Sequence, residues 1–158
     1  MELPKRARTA DWENGVLTGK GLEYGGSLFR PEATGYGATY YVNEVLKHEG
    51  DTFEGKTVAM SGFGNVAWGI AMKVAQLGGK VVTLSGPDGY CYDPEGITTE
   101  EKFNYMLEMR NSGRNRAQDY ADKFGVEFFP KQKPWGQKVD ICMPAAYQNE
   151  LDLSLIHI

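Results

Sequence analysis

The sequence predicts an α/β fold built on a parallel sheet. Three observations predict it. A short apolar run ends in a glycine turn, "TVAMSGFG" (57–64). A helical spacing of apolar residues begins directly after that turn, and a second apolar, β-branched run follows at "KVVTLS" (80–85). Strand, helix and strand in that order are the unit from which parallel sheets are made. At 158 residues the chain is about one domain long and can bury a single core.

The elements follow in chain order. Residues 1–14 read as a solvated, irregular leader; they lack the apolar core of a secretion signal, and Lys5, Arg6 and Arg8 form only a small basic group. Residues 16–30 hold four glycines and read as irregular. A helix is expected from Pro31, where proline suits a first turn and Glu32 suits the positive end of the dipole, to near Gly50. Gly35 and Gly37 weaken it by roughly 1 kcal/mol each, which points to close packing against its backbone. The run 57–60 is the first strand. From Asn65 a helix carries Ala67, Ile70, Ala71, Val74 and Ala75 on one face and stops at Gly78 and Gly79. "KVVTLS" is the second strand, apolar enough to be buried on both faces. "GPDG" (86–89) is a turn, 98–113 a helix capped by Thr98 or Thr99 with Phe103, Met106, Leu107 and Met109 apolar, and 115–125 a short helix. "VEFF" (126–129) and "KVDICMP" (138–144) are two further strands, so the order again suggests a parallel sheet.

Composition excludes several functions. With 17 basic and 21 acidic side chains the net charge is −4, a poor electrostatic match for nucleic acid or anionic membrane. No apolar stretch approaches bilayer length. Cys91 and Cys142 have no CxxC spacing and read as free buried thiols, consistent with a reducing, cytoplasmic setting. His48 and His157 have no partner at ligand spacing, so no metal site is expected.

Gly62-Phe63-Gly64-Asn65-Val66-Ala67 matches G-x-G-x-x-G/A between a strand and a helix, the context that a dinucleotide loop requires. Gly62 permits the tight turn, Gly64 leaves room for a pyrophosphate, and Ala67 lets the helix pack on the sheet. The helix start then offers free N–H groups and about half a positive charge to the phosphates. These features refine the prediction to a Rossmann-like, doubly wound sheet. The end of the second strand holds Leu84 and Ser85, so the first carboxylate available to a ribose is Asp88. No Lys or Arg occurs from Val81 to Glu101. A 2′-phosphate would meet Asp88 without a local cation, and at ~4 Å with an effective dielectric near 20 each like-charge pair costs about 4 kcal/mol. The sequence therefore favours NAD over NADP.

"LTGKGLEYGGSLFRPEATGYG" (17–37), "GFGNVAWG" (62–69), "SGPDGYCYDPEGIT" (85–98) and "PAAYQNELDL" (144–153) together resemble the hexameric bacterial glutamate dehydrogenases. "SGPDGY" resembles the NAD-using members. The resemblance implies reversible oxidative deamination of L-glutamate to 2-oxoglutarate and ammonia. It implies that Thr34 contacts the nicotinamide carboxamide. Gly64, Asn65 and Val66 would hold the pyrophosphate and adjoining ribose, and Gly62 and Ser85 are also expected among the cofactor-binding residues. Phe63, Pro87 and Asp88 would line the adenosine-ribose end, and Asn149 would reach the nicotinamide ribose. Arg30 is expected to be a structural ion-pair member. The family's catalytic lysine and aspartate lie in a domain that would precede residue 15, so no catalytic residue is expected in this chain. Glutamate and 2-oxoglutarate would bind only with that domain present. On this reading 15–153 is a dinucleotide-binding domain, incomplete towards its C-terminal end, from a homohexameric parent. The alternatives are a stand-alone nucleotide-binding or interaction module without turnover, and an NADP-dependent glutamate dehydrogenase. One position departs from the pattern. Tyr147 stands where the family usually has threonine, and its ring either faces solvent or crowds the cofactor. The tail "LSLIHI" is read as non-native over 154–158, because CTG TCT CTT ATA CAC ATC encodes it and resembles a transposon end used in sequencing libraries.

Overall fold

The computed structural model describes residues 21–26 and 30–151. The expected leader (1–14), the expected tail (154–158) and His157 lie outside the described residues. The chain divides into two units, residues 1–30 and 31–158. In the first, Leu22–Tyr24 forms one 3-10 turn, and the N–H of Gly25 donates to Leu22 O at 3.0 Å. Arg30 is exposed.

In the second unit the elements run α1 (Ala33–His48), β1 (Thr57–Met60), α2 (Asn65–Gln76), β2 (Lys80–Val81), β3 (Thr83–Gly86), β4 (Gly89–Tyr92), α3 (Glu100–Ser112), α4 (Gln118–Phe124), β5 (Glu127–Pro130) and β6 (Ile141–Met143). Val58, Ala59 and Met60 have no exposed surface, so β1 is covered on both faces, as its unbroken apolar run requires. It lies between β2 and β6, parallel to both. Asp140 fixes the β6 register, its Oδ2 accepting the Thr57 N–H and hydroxyl, each at 2.8 Å. These bonds hold the Asp140 carboxyl below its ordinary pKa.

The sequence leads one to expect four strands, and six form among the described residues. The second expected strand, "KVVTLS", is divided between two sheets. The Val82 N–H donates to Val58 O at 2.9 Å, within the parallel sheet, while its carbonyl accepts from Asp93 N–H at 2.8 Å. Beyond Val82 the chain enters a second sheet, β3-β4-β5, which is antiparallel throughout. The expectation of one parallel sheet is therefore corrected: three strands are parallel and three are not. The cause is the "GPDG" turn. Gly86 pairs with Gly89 across Pro87 and Asp88, closing a hairpin that returns "GYCY" as β4, and "EFFP" then pairs with β4 as β5.

One core joins the sheets and helices. Met60, Ile70 and Val81 meet Leu84, Cys91, Met106 and Tyr120 in it. Asp93, 2% exposed, ties α3 and α4 to the end of β4, its Oδ2 accepting from Lys102 Nζ at 2.6 Å and from the Tyr120 hydroxyl at 2.8 Å. Cys91 is buried, but Cys142 is exposed, which corrects the expectation of two buried thiols. No helix among the described residues is long and apolar enough to cross a membrane.

Candidate functional site

Four segments from both sheets meet around a cavity of ≈ 690 Å³: the glycine turn 62–64 after β1, the β3–β4 hairpin, residues 131–133 after β5, and residues 145–147 after β6. Arg110 of α3 and Asn115 complete the lining. Parallel strands that end on one side leave their loops there, and the glycine turn is one of them.

Gly62 has φ +78°, which favours glycine, and a side chain on it would meet Ala146 Cβ at 3.3 Å. The turn and the 145–147 wall are thus in near contact. Gly64 is exposed, and a Cβ placed on it meets nothing within 4 Å. It is also the N-cap of α2, with no side-chain capping bond. The first-turn N–H groups of α2 therefore face the turn without a side-chain acceptor, the arrangement that receives an anion. Phe63 is 7% exposed and forms part of the cavity wall, its Cε1 lying 3.1 Å from where a Gly86 side chain would begin. Ser85 Oγ accepts the Gly62 N–H at 2.9 Å, joining hairpin to turn.

Of the residues expected at the site, the cavity brings together Gly62, Phe63, Gly64, Ser85 and Pro87. It does not include Thr34, Asn65, Val66, Asp88 or Asn149. Thr34 is exposed in the first turn of α1, which crosses α2 closely: a Cβ on Gly35 would sit 2.3 Å from Val66 O. Asn65 Oδ1 accepts from the Arg110 guanidinium, which is thereby held beside the start of α2. Asn149 is exposed with φ +56°. Asp88 is engaged at the start of α4. Its Oδ1 accepts from Ala117 N–H at 2.8 Å and its Oδ2 from Gln118 N–H at 3.0 Å, so the carboxylate caps α4 instead of lining the cavity.

Sequence reasoning missed Arg110, Asn115, Lys131, Gln132 and Lys133. The local signal was the basic pair in "PKQKP", directly after a strand. Asn115 and Lys131 have φ of 51° and 57°, and strained backbone of this kind gathers at functional sites. It also missed the clamp behind the 145–147 wall. Glu150, 5% exposed, accepts three bonds at Oε1: from Ser61 Oγ at 2.8 Å, Ala146 N–H at 2.9 Å and Tyr147 N–H at 3.0 Å. Ser61 Oγ in turn accepts from Ala145 N–H at 2.8 Å. No group of three or more His, Cys, Asp or Glu side chains gathers as a metal cluster among the described residues.

A family model for glutamate/leucine/phenylalanine/valine dehydrogenases matches residues 25–158. The NAD-specific glutamate dehydrogenase of Clostridium symbiosum is 76% identical over 140 residues, 89% of this chain and 31% of the relative. That of Porphyromonas gingivalis is 59% identical, over 88% of this chain and 32% of its own length. A solved glutamate dehydrogenase structure matches with TM-score 0.83 at 73% identity, covering 92% of this chain and 32% of that one. The chain spans about a third of the length of the curated relatives it matches.

Proposed function

The chain belongs to the glutamate/leucine/phenylalanine/valine dehydrogenase family, and from that premise we propose that it carries the NAD-holding part of a glutamate dehydrogenase. The observation that carries the proposal is the uncapped start of α2, opening from an unobstructed glycine turn beside a cavity with three cations in its lining. A pyrophosphate is met there by backbone N–H groups, by the helix dipole and by Arg110. Phe63, Ser85 and Pro87 line the adenosine side. Thr34 and Asn149 are assigned to the nicotinamide side by motif resemblance, and Asn65 and Val66 to the pyrophosphate on the same ground. The Rossmann-like description is proposed for the β1-α2-β2 unit with β6.

Bound NAD would supply the acceptor for the hydride leaving the α-carbon of glutamate, giving 2-oxoglutarate and ammonia. This chain's part is to bind and orient. On this reading the catalytic lysine and aspartate belong to another domain of the whole protein, so the chain alone is expected to bind without turnover. A cytoplasmic homohexamer as the whole protein follows from the same resemblance; sedimentation and fractionation of the full-length protein test it.

The choice of NAD is supported by the names of the relatives just given. The absence of Lys and Arg between Val81 and Glu101 no longer supports it, because the fold brings Arg110, Lys131 and Lys133 to the cavity from beyond that window. Isothermal calorimetry of the chain with NAD and NADP is the test. Saturable NAD binding, tighter than NADP, is expected. Tighter NADP binding overturns the choice of cofactor, and binding of neither overturns the proposal.

A further inference from the structure

Tyr147 is the position at which the chain departs from the motif pattern, and it lines the cavity while 60% exposed. Its backbone is not free to move with its ring. Glu150 and Ser61, both buried, hold the N–H groups of residues 145–147 against the end of β1, one residue before the glycine turn. Lys133, from the facing 131–133 segment, places its Nζ 5.5 Å from the centroid of the Tyr147 ring. An aromatic face therefore stands in the cavity on a fixed support, with an ammonium at its side.

Such a face has one evident use where the ligand carries flat rings and phosphates. Stacking between an aromatic side chain and a nucleotide ring is favourable and tolerant of ring identity. A flanking ammonium has no acceptor on the tyrosine ring beyond its π face, and a phosphate offers it a stronger partner. We propose that Tyr147 is a ligand-contacting residue that stacks on a heteroaromatic ring of the dinucleotide, with Lys133 serving the adjoining phosphate. The inference rests on the dinucleotide reading of the same cavity. It replaces both expectations for Tyr147, a ring facing solvent or one crowding the cofactor, with contact that strengthens binding.

The test is calorimetric titration of the unaltered chain, Tyr147→Thr and Tyr147→Phe with NAD. NAD binding by the unaltered chain is the first outcome required; without it the dinucleotide reading and this inference fall together. Given that binding, Tyr147→Thr is expected to weaken it by about fivefold or more. Tyr147→Phe, which keeps the ring, is expected to stay within about twofold of the unaltered chain. A Tyr147→Thr variant that binds NAD equally or more tightly overturns the inference while leaving the dinucleotide reading intact. Stacking is overturned equally if Tyr147→Phe loses as much as Tyr147→Thr. Titration with adenosine monophosphate and with nicotinamide mononucleotide identifies the stacked ring: the affected half-ligand is the one that Tyr147→Thr weakens, and a variant that weakens neither counts against stacking. Replacing so exposed a side chain leaves the core untouched, and the urea midpoint of each variant is matched to that of the unaltered chain before titration.

Discussion

Asp88 accepts a backbone N–H with each carboxylate oxygen, and both donors belong to the start of α4, whose own N-cap residue, Ala117, provides no side-chain bond. The carboxylate also sits at the positive end of that helix. Asp88→Ala is expected to lower the unfolding free energy by about 1–2 kcal/mol in urea denaturation. The ratio of NAD to NADP affinity is expected to change by less than about twofold. A large change in that ratio with stability unaltered would restore the cofactor role that the sequence suggested. Cys91 makes a pH argument at the same scale. Burial pushes its thiol from 9.0 up to about 12, and its Sγ donates to Ala117 O at 2.9 Å. A folded-state pKa above the unfolded one gives stability that is complete below pH 9 and is lost as pH rises towards 12. The buried Tyr120 hydroxyl is shifted the same way, first by burial and then by the Asp93 charge. Urea midpoints should therefore fall across this window, the thiol contributing at most about 1.4 kcal/mol per pH unit. Cys91→Ala should make the decline shallower, and an unchanged slope would exclude the thiol as a cause of it.

The crossing of α1 on α2 separates two glycines that look alike in sequence. A Cβ at Gly35 would lie 2.3 Å from Val66 O and 2.6 Å from Ile70 N, both backbone atoms that cannot rotate away. A Cβ at Gly37 meets nothing within 4 Å. Gly35→Ala is expected to destabilise the unit by about 2–3 kcal/mol and, by displacing the first turn of α2, to weaken NAD binding. Gly37→Ala is expected to stabilise it by up to about 1 kcal/mol, because helix propensity alone is changed. Urea denaturation of the pair checks both signs. The sequence suggested close packing at both positions, and only tertiary contact could tell them apart. Elements whose cause is local were readable in advance. Thr99 caps α3, its hydroxyl accepting the Lys102 N–H at 3.3 Å, and β1 shows as an unbroken apolar run. Within the site the glycine turn was equally legible, since strand, glycine spacing and helix are contiguous. Strand direction was not. β4 and β5 are short, and what makes them antiparallel is a hairpin that composition marks only as a turn. Lys131 and Lys133 stand out in sequence only as a basic pair after a strand; their place at the site was not legible, because only the pairing of β5 with β4 carries them to the cavity.

At the scale of the whole second unit, the two sheets are physically one body. Met60 N–H donates to Thr83 Oγ1 at 2.8 Å and Met60 O accepts from that hydroxyl at 2.9 Å, so the parallel strand β1 and the antiparallel strand β3 are bonded directly. Leu84 and Cys91 share the core with Val58 and Ile70. The cavity crosses the same junction, with the glycine turn and residues 145–147 from one sheet and the hairpin and residues 131–133 from the other. A ligand held there touches both sheets, so it binds only while their common geometry is intact. Its binding energy should therefore raise the stability of the unit as a whole. At a free NAD concentration about a hundredfold above its dissociation constant the gain is about 2.7 kcal/mol. For a unit of this size that corresponds to a rise in Tm of between about 5 and 10 °C. Scanning calorimetry should show one transition that moves upward intact. Two transitions, of which NAD moves one, would mean that the sheets unfold independently and that the ligand rests on a single sheet. The bridging geometry of the cavity would then have no energetic consequence.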